Sequence, residues 1–175
     1  MSNRNSSRSI LPEKRLAGVS LHLTSLPGPH GIGDIGDAAG EFLDTLRDTG
    51  FGVWQFLPTG PTAYGDSPYQ PLSAFAGNEM LIGVEPLLRE GLLEHDETEP
   101  LLRLPRHTVD YSTLIPAKGA LLAKAAERFG GMGNGELRAG FEAFLAQHDE
   151  VWLDDYALFR ILKTKHGERP WRDWD

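Results

Sequence analysis

The 175-residue chain contains no cysteine, so disulfides, thiolate nucleophiles and Cys-based metal sites are all excluded. It has no apolar run approaching the ~20 residues that a membrane-spanning helix requires, and no membrane partner is expected. It also lacks an excess of positive charge. The formal net charge is −8, which argues against nucleic acid, whose phosphate backbone demands a basic surface. No two histidines stand at the i, i+4 spacing of a helical zinc site, so neither metal nor cofactor is expected. What remains is 40% apolar and 24% charged residues, a composition ordinary for a globular domain.

The first nine residues are polar, with Arg4 and Arg8 but no apolar stretch, so they do not form a secretory signal. They are too few to carry a transit-peptide reading. Residues 1–14 are read as a disordered tail, and the expected compartment is the cytoplasm.

Ordered structure is expected to begin with a strand over Ala17–Leu23, followed by a turn-rich stretch over Ser25–Gly31. From Asp37, Ala38, Ala39, Phe42, Leu43 and Leu46 recur at helical spacing and predict one buried face. Gly50 is placed to end that helix. A second strand follows over Gly52–Leu57 and stops at Pro58. Strand, helix and strand in that order predict a βαβ unit with parallel strands. Leu81–Val84 reads as a short strand, Glu85–Leu93 as a helical turn and Glu94–Pro100 as a polar linker. Three helices are then expected, over about Pro116–Phe129, Gly135–Gln147 and Glu150–Lys165, the first two separated by the glycine-rich stretch 130–135.

Residues 58–79 are rich in Gly, Pro, Ser and Tyr and show no apolar period. A connection that long in a compact domain is usually functional. It also follows the C-terminal end of a parallel strand, where α/β folds bind ligands. Within it, Tyr64 and Tyr69 flank Asp66 and Ser67, held between Gly65 and Pro68. Flat aromatic faces beside short hydrogen-bonding side chains suit sugar rings, which present apolar C–H faces edged by hydroxyls. The residue types serve equally well as partly buried loop aromatics around a turn aspartate, and residue chemistry alone leaves both readings open.

Other motifs carry less. Gly31-Ile-Gly-Asp-Ile-Gly36 satisfies G-x-G-x-x-G, but seven residues separate it from the strand and no acidic residue ends the second strand, so dinucleotide binding fails. His22 is expected to be a hydrogen-bonded residue of the first strand. Asp34, Asp37, Asp44 and Asp48 are expected to form a solvated helix start and face. Nothing marks two carboxyls set across a cleft, as a glycosidase requires.

Several of these segments fall in register with a known family. Ser25-Leu-Pro-Gly28, Gly31-Ile-Gly33, Trp54-Gln-Phe-Leu-Pro58, Tyr64-Gly-Asp-Ser-Pro-Tyr-Gln70, Ser73-Ala-Phe-Ala-Gly-Asn78, Val109-Asp-Tyr111 and Trp152-Leu-Asp-Asp-Tyr-Ala-Leu-Phe159 together resemble the N-terminal portion of the amylomaltase or disproportionating-enzyme family of 4-α-glucanotransferases. The closing Trp171 and Trp174 fit the same pattern. The resemblance implies an α/β fold, the N-terminal part of a (β/α)8 TIM barrel with an inserted, mainly helical subdomain. Residues 15–93 would open the barrel and carry the glucan-binding loop 58–79. Residues 94–175 would be the helical region, and the barrel would be incomplete in this chain.

The implied activity is retaining transfer of an α-1,4-glucan segment to the 4-hydroxyl of an acceptor glucan or glucose, through an aspartate nucleophile and a glutamate acid/base. Those carboxylates map to no residue of this sequence, so no catalytic residue is expected here, and the chain alone is expected to be inactive and loosely packed. By position, Ser67 and Tyr69 resemble donor-side sugar contacts, with Asp66 organising their loop. Tyr64 and Tyr111 resemble a pair that stacks on glucan at a secondary site. The implied partners are maltooligosaccharides, amylose and glycogen, with glucose as acceptor. A non-catalytic glucan-binding module is the alternative. The sequence departs from the family pattern where Leu23 follows His22, Thr59 follows Pro58 and Glu79 follows Asn78.

Overall fold

The structure, a computed structural model, describes residues 15–174, and the expected tail at 1–14 lies outside them. Strand β1 (Gly18–Ser20) pairs in parallel with β2 (Val53–Gln55), and helix α1 (Asp37–Asp48) crosses between them. The expected βαβ unit is therefore present, with shorter strands. β1 does not reach Leu23, because Leu23–Ser25 winds into a 3-10 turn. That turn satisfies its own backbone: Ser25 N–H donates to His22 O, and Gly33 N–H donates to Thr24 O.

Ala39 of α1 is buried and Phe42 half-buried against Leu23, Leu26, Leu81 and Trp54, and Leu46 is buried further along the helix. Leu43, expected on that face, points outward. Trp54 fixes the unit twice. Its ring meets Phe42 edge-on at 4.9 Å, and its indole N–H donates to Leu21 O at 2.7 Å. Gly50 adopts φ 79° just past the helix end, a left-handed turn that costs glycine little.

Leu81–Val84 does not form the expected strand. Glu79–Leu81 is a 3-10 turn capped by Asn78, and only a single parallel bridge, Ile35 to Ile82, touches it. Helix α2 (Val84–Arg89) follows. The stretch read as a polar linker is also helical. A 3-10 turn over His95–Thr98 runs into α3 (Glu99–Leu102), opened by a capping box in which the Glu94 and Glu97 side chains reach each other's backbone. Thr98 and Leu101 are buried there. The main core joins Ile32, Met80, Val84, Leu92, Leu101 and Leu104 to Leu114, Leu121 and Ala125, and so runs without a break through position 93.

Helix α4 (Tyr111–Gly131) starts five residues before Pro116. Asp110 caps it, accepting from the Thr113 N–H at 3.3 Å and from the Ser112 and Thr113 hydroxyls. Helix α5 (Glu136–His148) and helix α6 (Asp154–Lys165) are joined end to end by a π turn over Asp149–Leu153. An aromatic stripe of Phe144, His148, Trp152, Tyr156 and Phe159 runs along both. Trp174 closes it, stacked on His166 at 5.2 Å and Phe159 at 5.9 Å. Phe75, from the long loop, lies flat on Trp152 at 6.2 Å.

Asp34, expected on a solvated surface, is buried, and its Oδ2 lies 3.3 Å from the Nζ of Lys118, which is itself fully buried. Lys118 also donates to Met80 O at 2.8 Å. Burial pushes the Asp34 carboxyl up and the Lys118 amine down, and each partner's charge opposes the other's shift.

Candidate functional site

The long loop leaves β2 at Pro58 and is held as a compact excursion by its own backbone. Ala63 N–H donates to Gln70 O, Leu72 N–H to Pro61 O, and Asn78 N–H to Thr59 O. Thr62 and Pro71 form an antiparallel bridge between those rungs. The tip is a 3-10 turn over Tyr64–Asp66 in which Gly65 (φ 69°) and Asp66 (φ 54°) are both left-handed. Aspartate tolerates that conformation better than most residues do. Further along, Ser73 Oγ accepts from the Phe75 and Ala76 N–H groups, and Asn78 Oδ1 accepts from Met80 N–H at 2.9 Å.

A cavity of about 260 Å3 forms where this loop folds back over the strand ends. His22, Thr24 and Ser25 come from beyond β1, Asp66, Pro68 and Asn78 from the loop, and Tyr111 from the first residue of α4. Its walls mix hydroxyls, a carboxylate and an amide with apolar surface from Leu57, Pro58 and Leu81. That combination suits a polyhydroxylated ring. Asp66 also lines a second cavity of about 330 Å3, where Arg160 and Glu79 approach to 3.8 Å.

Of the residues read from the sequence, Asp66 and Tyr111 are brought into one cavity. Ser67 and Tyr69 are not among its walls. The Ser67 hydroxyl accepts from Tyr69 N–H at 3.4 Å, and Tyr69 is 68% exposed. The Tyr64 side chain lies outside what the structure describes; only its backbone, in the tip turn, is placed.

His22 corrects its expectation. It sits past the end of β1, and its Nδ1 is buried with no hydrogen-bond partner among the described residues. Burial lowers its pKa, so the ring is neutral at pH 7. A neutral imidazole offers one donor and one acceptor nitrogen. The sequence pattern puts it within the first strand, which ends instead at Ser20, and carries no sign of the enclosure of Nδ1. Asn78 was likewise quoted only as part of a motif, without a role. Among the described residues no cluster of His, Asp and Glu could hold a metal ion, and no helix is long and apolar enough to cross a membrane.

A family model described as 4-alpha-glucanotransferase matches residues 21–175. The 4-alpha-glucanotransferase of Thermus thermophilus is 44% identical over 160 residues, 91% of this chain and 31% of the relative. That of Aquifex aeolicus is 44% identical over 163 residues, 92% of this chain and 31% of the relative. The amylomaltase of Streptococcus agalactiae, solved in complex with acarbose, superposes with a TM-score of 0.83 at 37% identity, covering 93% of this chain and 32% of that one. The chain thus spans about a third of the length of these relatives. It belongs to the 4-alpha-glucanotransferase family.

Proposed function

We propose that this chain is the glucan-holding N-terminal portion of a retaining 4-α-glucanotransferase. In that protein an α-1,4-glucan segment passes from a donor to the 4-hydroxyl of an acceptor glucan or glucose. The observation that carries this is the 37–44% identity sustained over more than nine-tenths of the chain. The parallel β1–β2 pair crossed by α1 opens the (β/α)8 barrel, and further strands continue from its outer edges. The Asp66 cavity lies beyond the C-terminal ends of both strands, where barrels of this kind bind substrate.

Each group has a part. Asp66 accepts from sugar hydroxyls, the His22 imidazole hydrogen-bonds to another, and the Tyr111 ring offers an apolar face. Ser67 and Tyr69, on the solvent side of the loop tip, are left to meet the donor sugar. Tyr64 and Tyr111 form the secondary glucan site. The nucleophile and acid/base that the family resemblance implies map to no residue here, so the chain holds glucan without cleaving it.

The test is direct. Titration calorimetry of the chain with maltotriose is expected to show binding that weakens roughly 10-fold in Asp66→Ala, the loss of one hydrogen bond to a charged group. A transfer assay on maltotriose is expected to release no glucose. Release above a protein-free blank would overturn the inactivity, and absence of any binding would overturn the glucan reading.

A further inference from the structure

The Asp66 cavity does not end at its strand-side wall. Thr24, Ser25 and Ile32 line it and also line a second hollow, of about 400 Å3, between the 25–33 turn and the segment 105–109. The two hollows therefore share a wall. Tyr111, two residues past Val109, stands in the first hollow where the segment bounding the second begins α4.

The second hollow has a fixed floor. A side chain at Gly33 would collide with the backbone oxygens of Leu23 and Leu26, and one at Gly31, where φ is 77°, would strike the buried Leu104. Gly33 N–H donates to Thr24 O, and Leu26 N–H donates to Leu23 O. The turn is thus locked onto the body of the protein, and a ligand meeting it has little ordering cost to meet.

Its chemistry is selective. The hydroxyls of Thr24, Ser25 and Thr108 alternate with apolar surface from Pro27 and Ile32, and Arg106 and His107 stand exposed at the rim. No carboxylate is among the lining residues, which disfavours a cation. Small hydroxyls set between apolar patches match the hydroxyl edges and C–H faces of a neutral sugar.

We infer that the hollow between residues 25–33 and 105–109 is a further glucan subsite, reached from the Asp66 cavity over Thr24 and Ser25, that makes binding depend on glucan length. This rests on the glucan reading proposed above. A short glucan seated at Asp66 fills the first hollow. A longer one continues over the shared wall and gains the hydroxyls of the second hollow and the Arg106 and His107 side chains at its rim.

The experiment is calorimetry of the 175-residue chain with maltotriose and maltoheptaose. Thr108→Trp fills the second hollow, and Arg106→Ala with His107→Ala strips its rim while leaving the backbone alone. The wild-type chain is expected to bind maltoheptaose more tightly than maltotriose. In both variants maltotriose affinity is expected to hold within about twofold while maltoheptaose affinity falls by roughly 5- to 10-fold, the worth of one or two neutral hydrogen bonds.

Equal losses for both glucans, or no loss in either variant, would overturn the inference. Equal wild-type affinity for the two lengths would overturn it and leave the glucan reading standing. No binding of either glucan would overturn both. Inorganic phosphate shifting the His107 resonances in competition with maltoheptaose would replace a sugar subsite with an anion site.

Discussion

Lys118→Met should be one of the costliest single changes in the molecule. The Nζ it removes joins Asp34 of the approach to α1 to the carbonyl of Met80, and it does so from a fully buried position on α4. Loss of one partner of a buried ion pair leaves an uncompensated charge and costs ~3–5 kcal/mol. At ~2–4 °C per kcal/mol for a chain of this size, the melting temperature should fall by about 6–20 °C.

The pH behaviour sharpens the test. Asp34 has a raised pKa, so its contribution to stability is complete below the ordinary aspartate range and is lost as pH rises through the raised value. Lys118 has a lowered pKa, so its contribution is complete above the ordinary lysine range and is lost as pH falls through the depressed value. At neutral pH both burial costs are in force. Replacing the whole pair should therefore recover most of the loss, with Asp34→Leu plus Lys118→Met within about 1–2 kcal/mol of the parent, as other buried pairs allow.

A neighbouring group supplies an independent signal. His30 is buried with its Nδ1 3.4 Å from Glu85, and its pKa is lowered by burial, raised by Glu85 and lowered again by Lys118. In Lys118→Met the last influence disappears, so His30 should titrate at higher pH. Urea unfolding and the imidazole resonance of His30 measure the two effects. A single-variant cost below about 1 kcal/mol, or a double variant no better than the single, would refute the electrostatic account.

Two further outcomes are expected. Gly65→Ala should cost about 1–2 kcal/mol, because φ 69° is a left-handed position and nothing lies within 4 Å to clash, so the backbone is the only source of the penalty; urea midpoints measure it, and a neutral result would mean the loop tip relaxes. The Glu97 carboxyl is held at about 2 by Arg128, the Glu94 N–H and Lys124. Its stabilising share is therefore present above pH ~4.5 and lost as pH falls towards about 2, a dependence that Glu97→Gln should flatten in acid unfolding curves.

What the sequence made legible was what local pattern decides. The helical period of Ala39, Phe42 and Leu46, the glycine at 50 and the two strands around them lie within one short stretch, and each element carries its own signal. The 94–100 segment was misread because Glu94, His95, Asp96, Glu97 and Glu99 dominate its composition, while the inward face rests on Thr98 and Leu101 alone. Helix α4 was started late because Pro116 reads as a first-turn proline, whereas Asp110 had already capped the helix six residues earlier.

Asp34 was beyond local reach altogether. Its partner lies 84 positions away, and nothing around it distinguishes it from the surface aspartates at 37, 44 and 48. The cavity was half legible: Asp66 and Tyr111 were singled out, but the partnerless Nδ1 of His22 exists only once Leu23–Ser25 has turned the chain away from the strand.

The π turn between α5 and α6 has a consequence for how this region can change. Phe144, His148, Trp152 and Tyr156 follow one another at intervals of four, and a regular helix of 3.6 residues per turn advances ~40° beyond a full rotation at each such step. The wider turn at Asp149–Leu153 absorbs that drift and keeps the rings in line. Deleting one residue from it would return the segment to ordinary helix with little net rotation, because five residues of the wider turn go round the axis about as far as four of a regular helix. Trp152 and the rings after it would stay close to the face that meets Phe75. The turn is therefore the place where this pair of helices can take up a change of length without turning its aromatic stripe away from the loop.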